Sequence, residues 1–230
     1  MGFWNKDISR CLFVFVFGAV LADVLNYAAY CLCKGKRKSH YCYEKLPSVY
    51  WLGKGVLAAV FVLCSLKFDS IPYLALILCF VSILYIITLT DLQKRIIPNL
   101  CVIAAILIRI VYFLIIKEGN FRMLLWILTE GFMVSVPVFL LTFLMEAILK
   151  KEMFGGGDIK LLFVIGLYLS LAECLVMLLV ACILGFIGGI IAIRKIGKRE
   201  SVPIPFGPCL AAGSVTALLF GNVIIAGLSL

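Results

Sequence analysis

The chain has 230 residues, 64% of them hydrophobic and only 14% charged, with a formal net charge of +9. Soluble domains carry about a quarter charged and about half apolar residues, and a mean hydropathy of +1.18 leaves too little polar surface to clothe a globule, so a soluble fold is excluded and a bilayer is the natural solvent. The cations fall in short gaps between apolar runs, with no basic face interleaved with aromatics, which excludes a nucleic-acid partner and reads as membrane topology.

Crossing the hydrocarbon core takes about 20 apolar residues. The runs predict an all-α, polytopic transmembrane helix bundle of about eight spans, the pattern allowing six to eight. In chain order they cover 11–30, 49–66, 71–90, 99–116, 123–149, 159–170, 171–193 and 208–228. The first run is followed by Cys-Leu-Cys and basic residues instead of a small-residue cleavage site, and reads as an anchor kept in the mature protein. The sixth is short, which predicts a tilted helix or one entered from a re-entrant turn. Lys and Arg concentrate in the gaps 31–48, 91–98, 150–160 and 194–207. That excess places those gaps in the cytoplasm and both termini outside, in the cell (inner) membrane. No internal repeat is visible, so one membrane domain, 1–230, accounts for the chain. Its longest soluble piece, the basic loop at about 31–48, is too short to fold alone.

Six of the ten cysteines (Cys64, Cys79, Cys101, Cys174, Cys182 and Cys209) lie in or beside apolar runs, where Cys behaves as a small hydrophobe. Cys31, Cys33 and Cys42 share a loop with His40, the only histidine. On ligand type these four make a Cys3His zinc set, but Cys31 and Cys33 adjoin a helix end, and the expectation is no metal and no cofactor. No disulfide framework is suggested.

Two segments interrupt the apolar text on the cytoplasmic side. One is Thr90-Asp91-Leu92-Gln93-Lys94-Arg95-Ile96-Ile97-Pro98-Asn99, the other Phe154-Gly155-Gly156-Gly157-Asp158-Ile159-Lys160-Leu161. A carboxylate at membrane depth is expensive and faces the bundle interior or water. Two close carboxyls share one proton and titrate as a unit. Such a pair suits aspartic proteolysis, in which one carboxylate takes a proton from water and the other donates to the scissile carbonyl. Glycines 155–157 allow close backbone approach beside Asp158. Pro98 breaks the chain and starts the next helix. Each feature also has a plain structural reading: Asp158 as the N-cap of the next helix, Asp91 as a loop aspartate beside Lys94 and Arg95. Lys160 either biases the pair toward ionisation or anchors at the interface. Asp23 and Asn26, three apart on one helical face, either hydrogen-bond into the bundle or line a substrate groove. Glu130 and Glu146 read as interhelical or snorkelling groups, and Glu44 and Glu152 as solvated loop charge.

The order Asp-x4-Ile-Ile-Pro-Asn, Gly-Gly-Gly-Asp-Ile-Lys-Leu and Ile204-Pro205-Phe206-Gly207-Pro208-Cys209-Leu210-Ala211-Ala212-Gly213 resembles the type IV prepilin peptidase family of GxGD-type intramembrane aspartic proteases. The stretch 18–27 looks like a diverged form of that family's first helix. The resemblance implies that Asp91 and Asp158 form the catalytic dyad. It also implies cleavage after glycine at the end of a short basic cytoplasmic leader, on prepilin-like or pseudopilin precursors. Pro98, Asn99, Gly155, Gly156, Gly157, Lys160, Asp23 and Asn26 are then candidates for binding substrate or shaping the site. Bifunctional members carry two Cys-x-x-Cys pairs in a larger first loop, associated with N-methylation. Cys31-x-Cys33 and Cys42 depart from that spacing, which implies a peptidase-only member. Other readings of the carboxylates are a presenilin-type protease, against which the Ile-Pro-Asn and Ile-Pro-Phe-Gly-Pro blocks argue, a non-catalytic assembly factor, or an ion- or proton-coupled transporter. The expected partners are the lipid bilayer and a prepilin-like substrate with a basic leader; oligomeric state is left open.

Overall fold

A lipid interior offers backbone amides no water, so apolar runs of this length must close their hydrogen bonds within themselves. The computed structural model describes residues 2–34, 47–116, 121–149, 155–196 and 205–228. Among these there is no strand, and eight helices follow in order: α1 (Gly2–Lys34), α2 (Pro47–Lys67), α3 (Ile71–Lys94), α4 (Asn99–Ile116), α5 (Phe121–Leu149), α6 (Gly156–Gly166), α7 (Leu171–Ile196) and α8 (Gly207–Leu228). Each predicted run has become one helix. Several run past the apolar stretch that predicts them, α1 through Cys31–Lys34 and α7 through Arg194–Ile196.

Among the described residues six helices are long and apolar enough to cross a membrane, within Ser9–Cys33, Ile71–Lys94, Asn99–Ile116, Arg122–Ile148, Leu171–Ile191 and Gly207–Gly227. The run expected over 159–170 is a half-length helix instead. At about 1.5 Å per residue α6 rises only about 16 Å, half of the hydrocarbon core. The reason lies at its end. Leu167, Tyr168 and Leu169 donate their N–H groups back to Val164 and Ile165 in a closing turn. Ser170 then caps α7: its N–H and Oγ donate to Glu173 Oε2 at 3.0 and 2.9 Å, and its Oγ accepts the Glu173 N–H. This reciprocal cap starts a new helix and fixes where the old one stops.

The chain falls into two compact units that divide between Arg95 and Ile96. In the first, Gly18 of α1 lies flat on α2, where an added Cβ would stand 3.1 Å from the Phe61 ring and 3.2 Å from Ala58 Cα. In the second, α7 and α8 meet at Gly213, whose Cβ would come 2.5 Å from the Met177 carbonyl oxygen. α5 and α6 meet at Gly166, whose Cβ would stand 2.7 Å from Gly131 Cα. Packing has to hold helices together where lipid tails are as apolar as leucine, and small residues give it room.

Gly213→Leu must push α8 off the α7 backbone and is expected to lower stability by about 1–3 kcal/mol or more. Gly188→Ala, where a Cβ meets nothing within 4 Å, is expected to stay within about 0.5 kcal/mol of wild type. Thermal unfolding in detergent checks both.

Candidate active site

Asp91 occupies the last turn of α3, with 5% of its surface exposed. The helix stops one turn later because Arg95 enters the left-handed region (φ 55, ψ 43) and returns its N–H to the Asp91 carbonyl at 2.8 Å. Pro98 then starts α4, its carbonyl accepting the N–H groups of Cys101 and Val102. A proline disfavours helical geometry in the residue before it, so α3 and α4 cannot fuse into one rod. Asp91 therefore belongs to a rigid helical turn instead of the loop that a plain reading of its neighbours suggests.

The first unit holds this turn through α1. Lys94 Nζ donates to the Cys33 carbonyl, one of the orphan acceptors at the C-terminal end of α1. Nearer the middle of α3, the Tyr85 hydroxyl donates to Asn26 Oδ1 at 3.1 Å. α2 leaves space for that hydroxyl: a Cβ on Gly53 would lie 2.6 Å from it. Asp23 forms an ion pair with Lys54 of α2. Asn26 and Asp23 thus each bond to a neighbouring helix of the first unit.

Asp158 sits in the first turn of α6, half-buried. The N-cap position, which the sequence offers to Asp158, belongs to Gly155 (φ −70, ψ 133), which has no side chain to cap the helix. The helix begins earlier than an aspartate cap would require because Gly156 and Gly157 enter helical geometry themselves. The Asp158 N–H donates to the Gly155 carbonyl at 2.9 Å, and the Asp158 Oδ2 stands 3.2 Å from where a Gly155 Cβ would be. The carboxylate thus lies against bare backbone at the positive end of a helix, where negative charge is favoured.

Within the second unit, residues 97–99 of the first interrupted segment meet the second. A Cβ on Gly157 would lie 3.3 Å from Ile97 Cβ, so the glycine seats α6 against the residue before Pro98. Lys160 Nζ donates to Asn99 Oδ1 at 3.3 Å. Pro98 and Asn99 on one side and Gly157 and Lys160 on the other form one surface. Tyr168 closes the far end of α6 by donating to the Ala105 carbonyl of α4 at 2.7 Å. Phe206, from the third motif, fills the notch at Gly185 of α7, where a Cβ would be 3.1 Å from its ring. Glu130 accepts the Trp126 indole N–H at 3.2 Å within α5.

The zinc set divides: Cys31 is exposed and Cys33 buried, while His40 and Cys42 lie outside the described residues, as do Glu44, Glu152 and most of the loop 31–48. Among the described residues no group of three His, Cys, Asp or Glu side chains is arranged to hold a metal ion. In the sequence Lys94 stands out only as a charge of the cytoplasmic gap and a neighbour of Asp91, and Tyr85, Gly53 and Tyr168 do not stand out at all. A tyrosine inside a buried apolar run, whose hydroxyl needs a partner, is the signal that finds Tyr85 and Tyr168.

A sequence model described as the type IV leader peptidase family matches residues 78–190, which includes both aspartates. A prepilin leader peptidase/N-methyltransferase of Bacillus subtilis is 30% identical over 206 residues, 89% of this chain and 78% of the relative. The protein of the same name from Xanthomonas campestris is 32% identical over 92 residues, covering 40% of this chain and 32% of its own. That from Aeromonas salmonicida is 42% identical over 74 residues, 32% of this chain and 25% of its own. No solved structure matches this chain.

Gly157→Val presses a branched side chain onto Ile97 and is expected to cost about 1–3 kcal/mol. Gly156→Ala, with nothing within 4 Å of the new methyl, is expected to be neutral within about 0.5 kcal/mol. Thermal unfolding of the purified variants separates the two.

Proposed function

The chain belongs to the type IV leader peptidase family, and from that premise we propose that it is an aspartic endopeptidase of the cell membrane. On this reading it removes the short basic leader, after a glycine, from prepilin-like or pseudopilin precursors at the cytoplasmic face. Asp91 and Asp158 are its catalytic pair, and the two units work as one peptidase domain. The observation that carries the reading is the 30% identity over 89% of the chain to a prepilin leader peptidase. Two further facts support it: each aspartate sits in a terminal helical turn, and the segment following Asp91 in sequence packs on the turn that bears Asp158.

The chemistry needs one carboxylate ionised and one protonated. The ionised member takes a proton from water while the water oxygen bonds to the scissile carbonyl carbon. The protonated member gives its proton to the carbonyl oxygen. The tetrahedral diol then collapses, the C–N bond breaks, and the leaving nitrogen takes a proton from the pair. The leader departs with a new carboxyl terminus and the pilin with a new amino terminus. The proton belongs to the pair and not to either residue. The bare backbone of Gly155 beside Asp158 leaves room for an extended substrate chain, and Lys160, with Asn99, frames the same surface. The curated relatives are named as methyltransferases as well. The cysteines of loop 31–48 lack the paired spacing associated with that activity, so the new terminus leaves this enzyme unmethylated.

Co-expression with a prepilin whose leader ends in Lys-Gly or Arg-Gly is expected to give a shortened product. Asp91→Asn and Asp158→Asn, present at wild-type membrane levels, are each expected to lose at least about a hundredfold of that activity. The mass of the product should show no added methyl group. Full cleavage by either variant makes that aspartate structural. Failure of wild type on every such leader favours a non-catalytic assembly factor or a transporter, and ion flux in liposomes tells those two apart.

A further inference from the structure

Tyr85, Asn26 and Lys94 take no part in that chemistry, yet they tie α3 to α1 on both sides of Asp91. Tyr85 precedes Asp91 by six positions and Lys94 follows it by three. At the helical rise these bonds stand about 9 Å before and about 4.5 Å after the aspartate along α3. One reaches the Asn26 carboxamide and the other the Cys33 carbonyl, both on α1. We propose that these two hydrogen bonds are positioning contacts that fix the height and rotation of the Asp91 turn. This inference rests on the proposed function.

The form of the Tyr85–Asn26 pair argues against a device for stability alone. Asn26 is only 4% exposed, and its Nδ2 has no hydrogen-bond partner among the described residues. An unmet buried donor weakens a fold, and replacing both members of such a pair by apolar groups of the same shape can be nearly neutral or stabilising. Three helices are nonetheless shaped around this one hydroxyl: α3 supplies it, α1 accepts it, and α2 keeps a glycine where any Cβ would strike it. What the bond supplies is register. Apolar packing in lipid holds helices together, and a directed bond between two of them adds a contact made at one height and one rotation only. Lys94, on the turn after Asp91, adds a second fixed point, so α3 is held at two heights.

The test uses purified protein in liposomes with a prepilin-like substrate, and reads kcat, KM and the thermal midpoint separately. For Tyr85→Phe, and for Tyr85→Phe combined with Asn26→Leu, kcat is expected to fall about tenfold with KM within about twofold, as for a displaced catalytic group. The thermal midpoint of the double variant should equal or exceed that of wild type. Lys94→Gln should lower kcat likewise, and Lys94→Arg should restore it. The inference is overturned if the Tyr85 variants keep wild-type kcat. It is also overturned if their loss of rate follows a lower thermal midpoint, or if KM rises with kcat intact, which would make the pair a substrate contact. If wild type cleaves and Asp91→Asn does not, any such result sinks this inference alone. If wild type cleaves nothing, the proposed function falls and the inference with it.

Discussion

Polar groups inside a hydrocarbon slab have no water to fall back on, so each must find its partner within the protein. Most side-chain hydroxyls in these helices meet that demand by bonding to their own backbone. Ser82, Thr88 and Thr90 do so on α3, Ser135 and Thr142 on α5, Ser214 and Thr216 on α8. Such bonds satisfy a hydroxyl without joining two helices. A polar bond that does cross between helices is therefore informative. Among the described residues such bonds include Tyr85–Asn26, Lys94–Cys33 and Asp23–Lys54 in the first unit and Lys160–Asn99 and Tyr168–Ala105 in the second. All of these but Asp23–Lys54 involve α3, α6 or the turn that closes α6.

The same constraint explains where those aspartates sit. Asp91 lies in the last turn of α3, and Asp158 in the first turn of a helix too short to span the core. Helix ends expose unpaired backbone groups and stand nearest to water, so a carboxylate costs least there. Glycine does the complementary work. Gly155 leaves the face of Asp158 bare, Gly157 seats α6 on Ile97, and Gly166 lets α6 touch the backbone of α5. A short helix has little surface with which to hold itself in place, and these close approaches supply what its length does not.

The spans were legible in the sequence because hydropathy is a local property: the run 99–116 is α4 to the residue, and 71–90 differs from α3 only by the turn that carries Asp91. The shortness of α6 was legible too, though not its cause, since a Ser-x-x-Glu cap inside apolar text looks like ordinary span residues. The N-cap of α6 went to Gly155 and not Asp158 because glycines at 156 and 157 adopt helical geometry as readily as loop geometry. What sequence could not give were the cross-helix bonds. Tyr85 and Asn26 are 59 positions apart, Lys94 and Cys33 61, Lys160 and Asn99 61. No periodicity within a single helix encodes such a partner; it follows from which faces pack. The pairing of Asp91 with Asp158 rests on their placement at helix ends and on the resemblance, and remains a proposal.

The central claim is that two carboxyls holding one proton between them hydrolyse the leader bond. The most direct measurement is kcat/KM against pH for the purified enzyme in liposomes, on a leader whose own ionisable groups stay constant over the range. A shared-proton pair predicts a bell, falling at low pH when both carboxyls are protonated and at higher pH when neither is. A profile with one limb and a plateau, or a rate abolished by a metal chelator and restored by the metal, would contradict it.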